Sequence, residues 1–337
     1  MKDFWENKNV FLTGINGFIG GNLAKGLIEN GANVFGLIRN IDHNSFLFHD
    51  GYDKKVALIE GDLIDRNLME RAITEENIDV VFHLAAQVEV GVAASNPLLT
   101  FETNIRGTYT LLDAIRSFPE NIEAVIVASS DKAYGAYEPE MMPYKEDYPL
   151  IPEFPYDTSK ACADMIAKSY ASSLYDLPIV ITRFCNIYGP GQLNFSALIP
   201  DTIKSAKGFS EFIPRSDGSM IRDFIFAEDV ANLYLTIGQE LSINKKLRGQ
   251  VFNAGTNQPT TVREVIEKIY KLIGNTNELE RILLQMEGKK ASGEIQCQYM
   301  DFEKVNKFFG WKPEHDLDSG LAKTIKWYEG YLSKDQN

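Results

Sequence analysis

Short apolar runs alternate with helical periodicity through the first half of the chain. Residues 10–13, 33–38, 56–60, 80–85, 124–129 and 179–184 are near-continuous apolar stretches. Parallel strands covered on both faces carry this pattern. Between them, Leu23, Leu27 and Ile28 share one face of a helix that Asn30-Gly31 ends, and residues 108–117 and 157–174 carry further helical patterns. The alternation predicts right-handed βαβ crossovers and a doubly wound α/β sheet. Beyond residue 186 the pattern loosens. Residues 193–213 read as loop and helix, and 223–239 as a strand and helix returning to the sheet. Thr261-x-x-Glu264 is a capping box opening a helix whose face is Val265, Ile269 and Leu272. Leu321, Ile325 and Tyr328 mark a last amphipathic helix.

The first strand runs into Thr13-Gly14-Ile15-Asn16-Gly17-Phe18-Ile19-Gly20, and a helix follows. In such a loop Gly14 takes a tight turn, Gly17 lets backbone approach a pyrophosphate, and Gly20 lets helix pack on strand. The helix N-terminus then offers N–H donors to the anion. The spacing is G-x-x-G-x-x-G, and its place between strand and helix points to a dinucleotide. The second strand ends at Arg39 rather than an acid, which suits a 2′-phosphate and favours NADP. The alternative is a solvated arginine, with Asp42 turned inward to bind NAD. Asp62, after the third strand, is placed to approach the adenine. Two lobes follow from this reading. A nucleotide-binding domain spans 1–185 plus about 223–252, and a smaller interleaved lobe spans 186–222 and 253–337. The crevice between them is the expected ligand site.

Composition narrows the partners. Asp and Glu number 47 against 34 Lys and Arg, a net charge of −13, which argues against non-specific nucleic-acid binding. Three scattered cysteines exclude a disulfide frame and a zinc ribbon, and the four histidines lack metal-ligand spacing, so no metal is expected. There is no cleavable signal pattern and no apolar stretch near the ~20 residues that span a bilayer. A cytoplasmic, soluble enzyme is the expectation.

Tyr156 and Lys160 stand four apart, on one face of a predicted helix. A tyrosine of pKa near ~10 is a poor base, but a neighbouring ammonium and a nicotinamide cation both favour the phenolate. Tyr156 would then accept a hydroxyl proton as hydride leaves the same carbon.

Here the chain resembles the extended short-chain dehydrogenase/reductase family over most of its length. The resemblance is carried by TGINGFIG, HLAAQ at 83–87, TNIRGT at 103–108, SSDKAYG at 129–135, YDTSK at 156–160, RFCNIYGPG at 183–191, IRDFIFAEDVA at 221–231 and NAGTNQ at 253–258. It implies a Rossmann-type fold, an NAD(P) cofactor and a nucleotide-diphosphate sugar substrate. Ser130-Asp131-Lys132 resembles the segment of the CDP-glucose 4,6-dehydratases, while HLAAQVEVGV is more similar to the GDP-mannose 4,6-dehydratases. The implied chemistry is oxidation at C4, elimination of water across C5–C6, and hydride return to C6. Asp131 would be the acid, with a pKa raised by burial, and Lys132 the base, with a pKa lowered by burial, Lys160 and the nicotinamide. Ser130 would bond the 4-hydroxyl. The alternatives are a 4-epimerase or 4-reductase, or a non-catalytic cofactor sensor.

By the same resemblance, Gly14, Asn16, Gly17, Phe18, Ile19, Arg39, Asp62, Leu63, Leu84, Ala85, Ala86, Gln87, Asn104, Tyr156 and Lys160 would hold the cofactor. Gln87, Ser130, Asn186, Leu198 and Arg222 would hold the substrate, Arg222 as a bidentate fork on phosphate. Asn104 would support the active-site backbone, and Arg183 reads as a structural ion-pair residue. A homodimer packed through helices 103–117 and 157–174 is also implied.

Overall fold

A computed structural model describes residues 2–289 and 295–334. Seven parallel strands form its main sheet: β1 (Asn9–Thr13), β2 (Asn33–Ile38), β3 (Ala57–Glu60), β4 (Val80–His83), β5 (Ala124–Ala128), β6 (Ile179–Phe184) and β7 (Val251–Ala254). Their spatial order is β7-β6-β5-β4-β1-β2-β3. Order reverses between β1 and β4, and ligands of doubly wound sheets bind outside the carboxyl ends of the strands at such a switch point.

The period-two alternation of a strand explains the layers. Val10, Leu12, Ala124, Ile126 and Val180 face one buried cluster. Phe11, Val125, Val127, Ile179 and Ile181 face the other. Helices α1 (Phe18–Glu29), α2 (Arg66–Glu75), α3 (Gly107–Ser117), α4 (Pro155–Tyr170), α5 (Leu198–Ala206), α6 (Ala227–Ile243), α7 (Val262–Ile273) and α8 (Leu317–Lys334) complete the frame used below. α1 and α6 pack together on one side, and α2, α3 and α4 on the other.

A third core lies apart from the sheet. It joins Ile199 and Ile203 of α5, Val265 and Ile269 of α7, and Leu321, Ile325 and Tyr328 of α8. Thr261 caps α7 through the expected capping box.

Three expectations are corrected. The strand Phe224–Phe226 does not return to the main sheet but pairs with Asn186–Tyr188. The returning strand is Val251–Ala254, in register beside β6, so residues 253 and 254 belong to the sheet and not to the smaller lobe. Leu272 is 48% exposed, and Ile266 and Tyr270 fill the α7 face instead.

Candidate active site

The glycine loop is shaped by contacts no side chain would allow. Gly14 has φ +77°, and a Cβ there would lie 2.7 Å from the Ala85 nitrogen. A Cβ on Gly20 would sit 2.0 Å from the Gly14 carbonyl oxygen. The loop therefore closes onto the β4 end only with glycine. Gly17 is the N-cap of α1 and supplies no side-chain cap, so the first-turn amides remain open to an anion. Beside the loop lies a cavity of about 240 Å³. Gly14, Asn16, Arg39, Asp62, Leu63, Ala85 and Ala86 line it. These donors and this cradle fit a dinucleotide.

Several expected cofactor residues lie outside that lining. Gly17, Phe18 and Ile19 form the α1 start. Leu84 backs the Gly14 turn. Asn104 is 2% exposed, on a π-helical turn (Glu102–Arg106). Its amide clamps Gln87 at both backbone atoms (2.7 and 2.9 Å) and donates to Ser159 Oγ at 2.8 Å. It is a support behind the site. The Gln87 side chain is likewise engaged, accepting from Thr100 and donating to the Glu89 carbonyl. Asp42 does not line the cavity; its carboxylate accepts from the Asn44 amide at 3.0 Å.

The catalytic set gathers at the carboxyl end of β5 and the start of α4. Ser130 caps a 3-10 turn, Asp131–Tyr134. Its Oγ accepts from the Lys132 amide at 3.2 Å and donates to Asp131 Oδ1 at 3.0 Å. Pro155 starts α4 at a position that needs no N–H, which places Tyr156 and Lys160 on one face. Tyr156 and Ser130 line one cavity, and desolvation raises the Tyr156 pKa. Lys160 is buried and donates to the Ala128 carbonyl at 2.6 Å. Burial pushes its ammonium down to about 8. The expected lowering of the Tyr156 pKa by Lys160 is thus not supplied by the chain alone. Burial raises the Asp131 carboxyl as expected, against the opposing charges of Lys132 and Arg222. Lys132 is only partly buried, so the desolvation expected of it is incomplete.

A cavity of about 820 Å³ adjoins this set, lined by Lys132, Asp157, Asn186, Leu198 and Arg222 among others. A smaller one of about 300 Å³ is lined by Ser130, Asp131, Lys132, Tyr156, Asn186 and Leu198. The shared lining makes a single trough running from the catalytic turn to α5. Asp157 is a site residue the sequence reading passed over. Its side chain is buried, and its carboxyl is raised to about 6 by desolvation, against the attraction of Lys132. Its place beside Tyr156 was the available signal.

Neighbouring elements hold the catalytic turn. Arg183 grips Asp164 through two bonds (2.7 and 3.0 Å), both side chains buried, and its guanidinium lies 4.7 Å from the Tyr134 ring centroid. The expected structural pair is therefore present. Asn253 accepts from Tyr134 Oη at 2.8 Å and donates to the Tyr144 carbonyl at 3.1 Å. Asp223 accepts from the amides of Thr256 (2.9 Å) and Asn257 (3.2 Å). The motifs at 221–231 and 253–258 thus meet in space.

The fold and the glycine loop define a Rossmann-type short-chain dehydrogenase/reductase. The chain belongs to the GDP-mannose 4,6 dehydratase family, whose model matches residues 11–324. It is 31% identical over 324 residues to a putative UDP-glucose 4-epimerase of Methanocaldococcus jannaschii, covering 94% of this chain and 97% of that one. It is 28% identical to the CDP-glucose 4,6-dehydratase of Salmonella typhimurium, covering 98% and 93%. The crystal structure of dTDP-glucose 4,6-dehydratase from Bacillus anthracis in complex with NAD superposes with a TM-score of 0.80 at 27% identity, covering 96% and 97%. The chain spans about half the length of the plant trifunctional dehydratase–epimerase–reductases that it also matches.

Proposed function

We propose that the protein is a nucleotide-diphosphate-sugar 4,6-dehydratase, converting a CDP-glucose-like or GDP-linked hexose to its 4-keto-6-deoxy form. One observation carries this reading: an acid and a base, Asp131 and Lys132, adjoin the oxidation pair Tyr156 and Lys160 on one trough. An oxidation that is simply reversed at C4 does not call for that extra pair.

A nicotinamide dinucleotide held by the glycine loop would supply the hydride acceptor for C4 and the hydride donor for C6. Tyr156 takes the 4-hydroxyl proton, with Ser130 bonding the same oxygen. The 4-ketone makes the C5 proton acidic. Lys132, when uncharged, removes that proton while Asp131 protonates the departing C6 hydroxyl. Lys132 then gives its proton back to C5. Arg222 and Asn186 bind the diphosphate, and Leu198 covers the base. Arg39 in the dinucleotide cavity supports NADP over NAD.

Among the described residues, the segments 186–222, 255–289 and 295–334 make up the sugar-nucleotide lobe. A homodimer forms through α3 and α4, whose Tyr109 and Met165 are 42% and 63% exposed. Incubating purified protein with CDP-glucose, GDP-mannose, UDP-glucose and dTDP-glucose, followed by mass spectrometry, tests the reading. Loss of one water from one of them supports it. A mass-neutral product would instead fit a 4-epimerase, the activity in the name of the M. jannaschii relative.

A further inference from the structure

The dehydratase reading carries an unpaired item of proton bookkeeping. In one turnover the 4-hydroxyl leaves its proton on Tyr156, and Asp131 gives a proton to the departing hydroxide. The proton that Lys132 takes from C5 returns to C5. The chemistry therefore ends with a neutral tyrosine and an ionised aspartate. It must begin with the reverse, a phenolate and a carboxylic acid. At ordinary pKa values the second state is the disfavoured one.

The two groups are joined by one hydroxyl. Ser130 Oγ donates to Asp131 Oδ1 at 3.0 Å, and Ser130, Asp131 and Tyr156 line the same cavity of about 300 Å³. Asp131 is 5% exposed, and its other oxygen, Oδ2, is buried with no hydrogen-bond partner among the described residues. Ser130 is the donor already in place at that carboxyl.

We propose that Tyr156, Ser130 and Asp131 share a single proton, relayed through the serine hydroxyl so that one internal transfer arms base and acid together. The Tyr156 O–H bond breaks as Ser130 Oγ gains that proton. Ser130 in turn gives its own proton to Asp131 Oδ1. A phenolate and a carboxylic acid result, with no net charge change and no exchange with solvent. The next turnover starts once the pair has made this move again. Burial of both groups favours the pathway, since each is raised by desolvation and neither gains by ionising alone. Asp131 also faces Lys132, Arg222, Tyr144, Asp157 and Cys185, and Tyr156 also faces Asp157.

The test isolates the oxidation step, which precedes any use of Asp131 as an acid. Single-turnover reduction of the bound nicotinamide is followed between pH 6 and 9 (the probe being whichever of the four nucleotide sugars the wild-type protein oxidises). A pair sharing one proton titrates as a unit, so the wild-type rate stays flat between its two apparent pKa values. In Asp131→Asn and Ser130→Ala the phenol must lose its proton to solvent, and the rate rises about tenfold per pH unit. Ser130→Thr keeps the hydroxyl and restores the flat profile. A second readout needs no sugar: in cofactor-loaded protein, tyrosinate absorbance corrected by Tyr156→Phe is flat with pH in the wild type and rises with pH in Asp131→Asn and Ser130→Ala. Identical profiles in wild type and Asp131→Asn would overturn the relay. A wild-type protein that reduces its nicotinamide yet releases no water would instead overturn the dehydratase reading alone.

Discussion

At the scale of single residues, the site separates two jobs that one change each can dissect. Tyr156→Phe removes the group proposed to take the hydroxyl proton, and nicotinamide reduction should fall at least ~10²-fold, the usual contribution of a positioned base. Stopped-flow absorbance checks this, and normal reduction would remove Tyr156 from the oxidation. Lys132→Ala leaves Tyr156, Ser130 and Lys160 in place. That variant should reduce its nicotinamide and release no water, as read by product mass. The residues that make this division were legible because four-residue spacing on a helix and adjacency at a strand end are properties of sequence. Asp157 was not legible, since its burial depends on how the first turn of α4 docks against the Asp131–Tyr134 turn. The bonds that occupy Asn104 and the Gln87 side chain were not legible, because a motif fixes neighbours in sequence but not which polar atoms are already taken.

Elements are held by buried polar ties that cross the sheet. His83 at the end of β4 is bonded to Thr13 of β1 at 2.8 Å and to Thr108 of α3 at 2.9 Å. Burial, with the Lys160 charge, lowers its imidazole to about 3. An unfolded histidine of pKa about 6.5 takes up a proton that the folded one refuses. Stability is therefore full above about 6.5 and falls as pH drops towards about 3. Urea midpoints measured across that window should decline, and less steeply in His83→Gln. The Arg183–Asp164 pair ties β6 to α4 in the same manner. Asp164→Ala leaves a buried guanidinium unpaired and should cost about 3–5 kcal/mol in denaturant unfolding. Strands 33–38 and 179–184 matched the sequence reading because their apolar runs are near-continuous and rich in β-branched residues. Val251–Ala254 escaped it, since four residues that include Asn253 show neither a run nor an alternation. Phe224–Phe226 looked like a core strand, but a three-residue segment pairs with whatever neighbour the lobe offers, here Asn186–Tyr188.

At the scale of the molecule, a large apolar face remains on the α3–α4 side. Leu98, Tyr109 and Met165 are 67%, 42% and 63% exposed there. Exposed apolar side chains gathered on adjacent helices mark a contact surface. A charge within it, as in Met165→Glu, should convert the proposed homodimer to a monomer in analytical ultracentrifugation without loss of cofactor binding; a wild type that already sediments as a monomer would remove the proposed dimer. The doubly wound architecture was readable from alternation alone, whereas the seventh strand and the third core depend on contacts between distant segments.

The bond from Tyr134 to Asn253 spans 119 positions of chain. A ribosome has finished the glycine loop, the serine, the aspartate and the tyrosine long before it reaches the strand that steadies them. A nascent polypeptide arrested ahead of that strand would hold every reactive group and still lack its final brace, so competence for chemistry arrives late in translation, well after the cofactor pocket has been made.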